Sequence, residues 1–299
     1  MYINTNHSIR KALVIIPPFV WLTLLFLIPF IIILIVSLSH YADAIPPYES
    51  FFVYDHIKQT YKFQPDFSNF KFLISDQIYL NSYLNSLKIA AISTLSTLII
   101  AYPIALGIAQ TKKTTQKLLL MLIMVPFWTS LLIRVYAWTI ILKNSGVLNN
   151  LLIHIGFIDT PVQLLNTQFA VILGIIHCYL PFMVLPLYLS IEKIEPALIE
   201  ASLDLGCTPL KSLLYIILPL SLPGIITGSM LVFIPAVGEF IIPEILGGAR
   251  VLTVGKIIWN EFFQNHDWPI AAAITVILTI SFVIPVMLVQ KSLVTKGKK

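Results

Sequence analysis

The chain has 299 residues, of which 58% are hydrophobic and only 11% charged, and its mean hydropathy is +0.89. Soluble domains carry about 25% charged residues, so a water-soluble globule is excluded and lipid is the solvent these side chains suit. The net charge of +5 does not gather into a patch, which excludes nucleic acid as the natural partner. Lysine and arginine sit instead in short loops, where membrane proteins keep them.

A spanning helix needs roughly 20 mostly apolar residues. Six segments meet that length in chain order: 12–37, 87–109, 118–142, 169–191, 220–246 and 270–289. Bundled helices satisfy every backbone group within the segment, so the expected fold is an all-α polytopic membrane protein of six transmembrane helices. Arg10 and Lys11 precede the first segment, and Ala42-Asp43-Ala44 loosely resembles a signal-peptidase site. A signal core runs about 7–15 residues; the first segment is far longer and is expected to stay as a span. Cys178 and Cys207 form no C-x-x-C, and small buried residues are the better reading for both.

Arg10, Lys11, Lys112, Lys113, Lys117, Lys193, Lys211 and the C-terminal lysines fall in one set of loops. The opposite set, Lys58, Lys62, Lys71, Lys88, Lys143, Arg250 and Lys256, is smaller and spread over many more residues, so both termini are expected on the cytoplasmic side. The expected organisation is a cytoplasmic stub and first span (1–40), an external segment (41–83), a core (84–291) and a basic tail (292–299). Outside lie NNLLIHIGFI and WNEFFQNHDW, which read as helices or aromatic anchors at the headgroups.

On the cytoplasmic face lies EASLDLGCTPLKSLLYIILP, residues 200–219. Pro196 suits a first helical position, the next residues are helical in propensity, and Gly206 is a natural left-handed stop. Thr208-Pro209 repeats the start signal, and Pro219 stops or kinks the second helix before the fifth span. The first helix of this elbow, at about nine residues, is roughly 14 Å long and cannot cross a bilayer. Leu198, Ile199, Ser202 and Leu205 can share one face, while Glu200 and Asp204 line another. Such a knob can dock into a partner's groove; equally, it can be a re-entrant or interfacial hairpin that only joins two spans.

The segment resembles the EAA loop of ABC importer permeases. That pattern is Glu-Ala-Ala, three residues, Gly, nine residues, then Ile-x-Leu-Pro; this chain places Glu200, Ala201, Ser202, Gly206, Ile216, Leu218 and Pro219 at the matching positions. Ser202 departs, one small residue for another. The resemblance implies a type I importer permease in the bacterial inner membrane, a MetI-like five-helix core plus an N-terminal span, with the coupling loop at 192–219. By the same resemblance Glu200 contacts a cytoplasmic ATPase, Asp204 accompanies it, and Gly206 is the turn. VPFWTSLLIRVYAW (125–138), IDTPVQLL (158–165), YLPFMVLPLYLSIEKIE (179–195) and PAVGEFIIPEILGGA (235–249) are similar to the B-type permeases of spermidine/putrescine importers. This implies a second homologous permease subunit, ATPase copies and an extracytoplasmic polyamine-binding protein as partners, and no cofactor.

No G-x-x-x-x-G-K-[ST] loop, H-E-x-x-H or G-x-S-x-G occurs in the chain. If the protein pumps, its motor is another chain. An importer for another small solute, a passive channel or scaffold, and a membrane-bound enzyme are the competing readings.

Arg134 and Glu239 fall inside predicted spans, each roughly 24–29 Å from the cytoplasmic side at 1.5 Å per residue. A charge there costs several kcal/mol unless it pairs, snorkels or faces water. Three arrangements are open: both snorkel outward, the two form an ion pair, or Glu239 with Glu244 faces a watery path and attracts a cation. For a polyamine, aromatic faces would add cation–π attraction of about 0.5–2 kcal/mol each, and Trp128, Tyr136, Trp138 and Tyr179 are the candidates.

Overall fold

The computed structural model describes residues 4–49, 52–55, 60–63 and 65–296, with side chains described for 13–49 and 65–283. The orientation cations Arg10, Lys11, Lys58, Lys62, Lys291, Lys296, Lys298 and Lys299, and with them the basic tail's side chains, lie outside that set. In order, the elements are α1 (Asn4–Leu22), α2 (Ile28–Ser37), β1 (His40–Tyr41), β2 (Tyr48–Glu49), β3 (Phe52–Asp55), β4 (Thr60–Phe63), α3 (Ser68–Ser75) and α4 (Gln77–Ala109). They continue with α5 (Lys113–Met124), α6 (Leu131–Leu142), α7 (Val147–His154), α8 (Gln168–Ile191), α9 (Pro196–Asp204), α10 (Pro209–Ser212), α11 (Leu218–Leu220), α12 (Leu222–Gly238), α13 (Val254–Trp259) and α14 (Trp268–Lys296). The chain divides into two compact units, Met1–Leu80 with Ile258–Lys299, and Asn81–Ile257.

In the first unit a π turn, Thr23–Leu27, joins α1 to α2, and the run Leu13–Ser37 is apolar and almost wholly exposed. That surface is what a helix in lipid presents. α2 packs along α14, and Asn69 Nδ2 donates to the carbonyls of Ser37 and Ser39, closing the end of α2. The segment expected outside is not bare linker: β1 pairs with β2 and β3 with β4, both antiparallel. Phe262 stacks on Trp268 with centroids 4.9 Å apart, so the aromatic run expected at the headgroups does form a cluster.

In the second unit the core lies between α4, α8 and α12. Ala101, Ala105 and Ile108 of α4 meet Met183, Val184 and Leu187 of α8 and Val232 of α12. Small side chains recur on the buried face of α4 at Ser93, Thr97, Ala101 and Ala105, one per turn. α12 contributes Gly224 and Gly228, also one turn apart. A Cβ on Gly224 would stand 2.5 Å from Ser190 Cβ and 2.6 Å from the Pro186 carbonyl; one on Gly228 would stand 2.8 Å from Met183 Sδ. In lipid, where no hydrophobic force joins helices, this close backbone approach supplies the van der Waals contact that does.

Four helical runs among the described residues are long and apolar enough to cross a membrane: Leu13–Ser37, Gln77–Ala109, Leu131–His154 and Gln168–Ile191. Pro209–Leu220 with Leu222–Gly238 makes a fifth if the pair, bent by 68°, is one span. Trp268–Val283 is apolar but shorter over its described side chains. Two predicted spans are subdivided. The segment 118–142 breaks at Pro126, where a 3-10 turn (Val125–Trp128) leads into extended Thr129 and Ser130 before α6 starts. Proline supplies no N–H and clashes with the preceding turn. The segment 220–246 bends at Ser221 and ends its helix at Gly238, with Glu239 extended at ψ 131°. Pro103, Pro181, Pro186 and Pro235 are carried inside continuous helices.

Candidate functional site

The elbow, 196–220, is helix, sharp turn, helix. α9 starts with Pro196 at its first turn after extended Glu195. It closes on a Schellman arrangement: Gly206 N–H donates to the Leu203 carbonyl at 2.9 Å and Cys207 N–H to the Ser202 carbonyl at 3.0 Å. Gly206 holds φ +85°, open to glycine without strain. Thr208 then caps α10, its Oγ1 accepting from Lys211 N–H, with Pro209 in the first helical turn. α10 continues through a π turn (Leu213–Ile217) into α11.

Ser202 is buried, as is Ser212. Ser202 Oγ lies 2.8 Å from Ser212 Oγ and 2.7 Å from the Ile199 carbonyl, fastening α9 to α10. The one departure from the EAA pattern therefore has a local structural use. Of the stripe expected on one face, Ile199 and Ser202 turn inward while Leu198 and Leu205 face out; Leu205 is 87% exposed at the tip. Glu200, Ala201 and Asp204 are exposed, and among the described residues neither acid makes an ion pair. Ile216 is half-buried, and Leu218 and Pro219 are exposed. A cavity of about 340 Å³ lies beneath the elbow, lined by Leu106, Ile199, Leu203, Leu210, Leu213 and Ile217. The result is a compact knob with Glu200 and Asp204 outward beside the exposed apolar residues Leu198, Leu203, Leu205 and Leu210.

At the root of the elbow Lys113 pairs with Glu192. The lysine's hydrogen bond holds the Glu192 carboxyl below its ordinary value, and Glu192 in turn raises Lys113. Both groups are exposed, so the pair contributes little to stability.

In the predicted spans the charges take different partners from those the sequence left open. Tyr179 Oη donates to Glu239 Oε2 at 2.6 Å, and Ile241 N–H donates to Glu239 Oε1 at 3.0 Å. Glu239 thus stands at the break after α12 and caps the turn beyond it. It makes no ion pair with Arg134: among the described residues Arg134 pairs with no carboxylate, and its Nε and Nη1 are buried without a protein acceptor. The separation follows from Glu239 leaving the helix, which turns its carboxylate to Tyr179 on α8. Glu244 is also engaged elsewhere. Its Oε2 lies 2.7 Å from Lys256 Nζ, which also donates to the Gly248 carbonyl at 2.9 Å.

Of the predicted aromatics, Tyr179 reaches Glu239, and Trp138 meets His177 edge-on at 5.7 Å. Trp128 and Tyr136 are exposed and join neither contact. Phe182 lies 6.0 Å from Tyr179 and 5.2 Å from Phe127, extending an aromatic chain that sequence reasoning missed. His177 and Phe182 sit two before and three after Tyr179 in one apolar helix, a spacing that carries no chemical motif. Lys256, read from sequence as an outer-loop cation, is buried. Gly255 explains the approach: a Cβ there would lie 2.4 Å from the Gly238 carbonyl and 2.7 Å from that of Glu239, so α13 starts directly against the break.

The family described as "Binding-protein-dependent transport system inner membrane component" matches residues 91–296. The chain is 45% identical over 205 residues to the spermidine/putrescine transport system permease protein PotB of Escherichia coli, covering 69% of this chain and 74% of that protein. To PotB of Haemophilus influenzae it is 38% identical over 275 residues, 92% of this chain and 91% of the relative. Among solved structures, a bacterial ABC transporter involved in the import of the acidic polysaccharide alginate superposes with a TM-score of 0.68 at 18% identity, covering 96% of this chain and 95% of that one. At that identity the likeness concerns the fold. By sequence and fold together, this chain belongs to the family of binding-protein-dependent transport system inner membrane components, multi-pass proteins of the inner membrane.

Proposed function

We propose that this chain is the permease subunit of an ATP-driven importer that moves spermidine or putrescine inward. It works with a second homologous permease, cytoplasmic ATPase subunits and an extracytoplasmic polyamine-binding protein, crosses the membrane six times and keeps both termini in the cytoplasm. The observation that carries the reading is the elbow, 192–219: an exposed two-helix knob whose acids, Glu200 and Asp204, make no ion pair among the described residues. The PotB relatives support a polyamine substrate, as does the chemistry around Glu239, a carboxylate bonded to Tyr179, whose ring lies 6.0 Å from that of Phe182.

In mechanism, ATP binding draws the ATPase subunits together and displaces the elbow through contacts at Glu200, Ala201 and Asp204. Gly206 and the Ser202–Ser212 contact keep its two helices moving as one. The spans rotate and expose the path to the binding protein. Glu239 attracts an ammonium group while Tyr179 holds the carboxylate's orientation and stacks on the methylene chain. The substrate is not chemically changed.

The test is uptake of labelled spermidine by proteoliposomes holding the complete complex. Glu239→Gln is expected to lower uptake at low substrate, with assembly intact. Normal uptake at low spermidine would remove Glu239 from the path, and failure of polyamines to compete would remove the substrate assignment.

A further inference from the structure

We propose that α4 is the connecting rod that carries displacement of the elbow to the break at Glu239, with Tyr102, Gln116 and Tyr188 as positioning residues at its inner end and Asn85 and Ser86 at its outer end. The inference rests on the coupling reading of the elbow and names the element that receives its motion.

The elbow is rooted at two points, and both are tied to α4 or its turn into α5. At the root before the elbow, Tyr188 in the last turn of α8 donates to Gln116 Oε1 at 3.1 Å. Gln116 is buried, and its Nε2 donates to the carbonyls of Ala109 and Thr111, the end of α4 and the following turn, each at 3.0 Å. One amide therefore joins the ends of α4, α5 and α8. The Lys113–Glu192 pair lies beside it on the same elements. At the root after the elbow, Ser221 is fully buried at the 68° bend between α11 and α12. Its Oγ lies 3.1 Å from the Leu218 carbonyl and 3.0 Å from Tyr102 Oη on α4, a hydrogen bond between the two hydroxyls that ties the bend to α4.

The outer end of α4 is held as firmly. Asn85 Nδ2 donates to the Leu252 carbonyl at 2.7 Å, and Val254 N–H donates to Ser86 Oγ at 2.8 Å. The next residue, Gly255, touches the carbonyls of Gly238 and Glu239. Between Ser86 and Ile108 α4 is one uninterrupted helix, roughly 33 Å at 1.5 Å per residue. Its buried face carries small residues at Ser93, Thr97, Ala101 and Ala105, with Ile89 and Ile108 towards its ends. Polar clamps at both ends of one continuous helix suit an element that moves as a rigid body. The Tyr188–Gln116 and Val254–Ser86 bonds are buried, one at each end, and leaving a partner unmade in the low-dielectric interior is costly.

The experiment uses the reconstituted complex and reads spermidine moved per ATP hydrolysed. Tyr102→Phe with Tyr188→Phe removes two hydroxyls and no ring. Loss of hydrogen bonds of this kind corresponds to about a fivefold change in an equilibrium each, and the double variant is expected to move about fivefold or more less spermidine per ATP. Ser86→Ala is expected to lower the ratio in the same direction from the far end. A purely structural role would lower the thermal midpoint and reduce uptake and ATP hydrolysis together, leaving the ratio at the wild-type value; that result overturns the rod. Glu200→Lys separates the two claims. If it abolishes binding-protein-stimulated hydrolysis while the tyrosine variants keep a normal ratio, the rod alone fails. If it leaves stimulation intact, the coupling reading fails and the rod with it.

Discussion

The hydroxyls of Ser202 and Ser212 lie 2.8 Å apart on two buried residues, one on each short helix of the elbow. Ser202→Ala leaves the Ser212 hydroxyl buried without that partner, which costs about 1–3 kcal/mol. Replacing both by alanine removes donor and acceptor together and is expected to cost less than the two single changes added. A double-mutant cycle on the thermal midpoint of the purified complex measures the coupling; strict additivity would show that the contact contributes nothing.

Gly206 and Gly224 are both glycines for reasons that substitution separates. At Gly206 there is open space for a Cβ but φ is +85°, so Gly206→Ala carries backbone strain of about 1–2 kcal/mol. The strain falls on the elbow turn, and ATPase stimulation by the loaded binding protein is expected to drop while the membrane core stays assembled.

At Gly224 the limit is space. Gly224→Ala drives a Cβ to 2.5 Å from Ser190 and 2.6 Å from the Pro186 carbonyl, against backbone that cannot yield cheaply. Overpacking of this kind costs about 1–3 kcal/mol. The variant is expected to lower the thermal midpoint and yield of the complex. A wild-type midpoint would mean that α8 and α12 do not approach as closely as this structure has them.

The Lys113–Glu192 pair has a defined pH window. Glu192 is held below its ordinary 4.5, so the stability it contributes is complete above that value and is lost as pH falls through the lowered one. Lys113 is held above its ordinary 10.5, so its contribution is complete below 10.5 and lost as pH rises through the raised value. The difference in thermal midpoint between wild type and Glu192→Gln is therefore expected to be small and flat between about pH 5 and 10. It should shrink at more acidic pH and with added salt, which screens exposed charges. A difference that grows with salt contradicts the pairing.

The elbow was legible because its punctuation is local. Pro196, Gly206 and Thr208-Pro209 each act within a turn, and each does in the structure what its chemistry predicts, whereas Pro219 lies inside α11 and the bend follows at Ser221. The breaks at Pro126 and Glu239 were hidden, because apolar residues continue on both sides and a 20-residue average passes over one extended residue. Proline alone does not decide: Pro103, Pro181, Pro186 and Pro235 sit in unbroken helices, whereas Thr129 and Ser130 after Pro126 accept extended backbone. The Glu239–Tyr179 contact depends on that hidden break, so an Arg134–Glu239 pair looked as plausible from sequence. Gly224-x-x-x-Gly228 was a readable sign of close helix packing. Gln116 carried no sign at all, since its role depends on three elements meeting.

The central claim is that the elbow takes work from a separate nucleotide-hydrolysing subunit. Cys178 and Cys207 are replaced, Ala201→Cys is introduced, and the assembled complex is treated with a short bifunctional thiol–amine crosslinker while spermidine uptake is followed with and without ATP. The account predicts a crosslink from position 201 to the ATPase subunit and uptake only with ATP. No crosslink to that subunit, together with uptake that proceeds at the same rate without nucleotide, would contradict it.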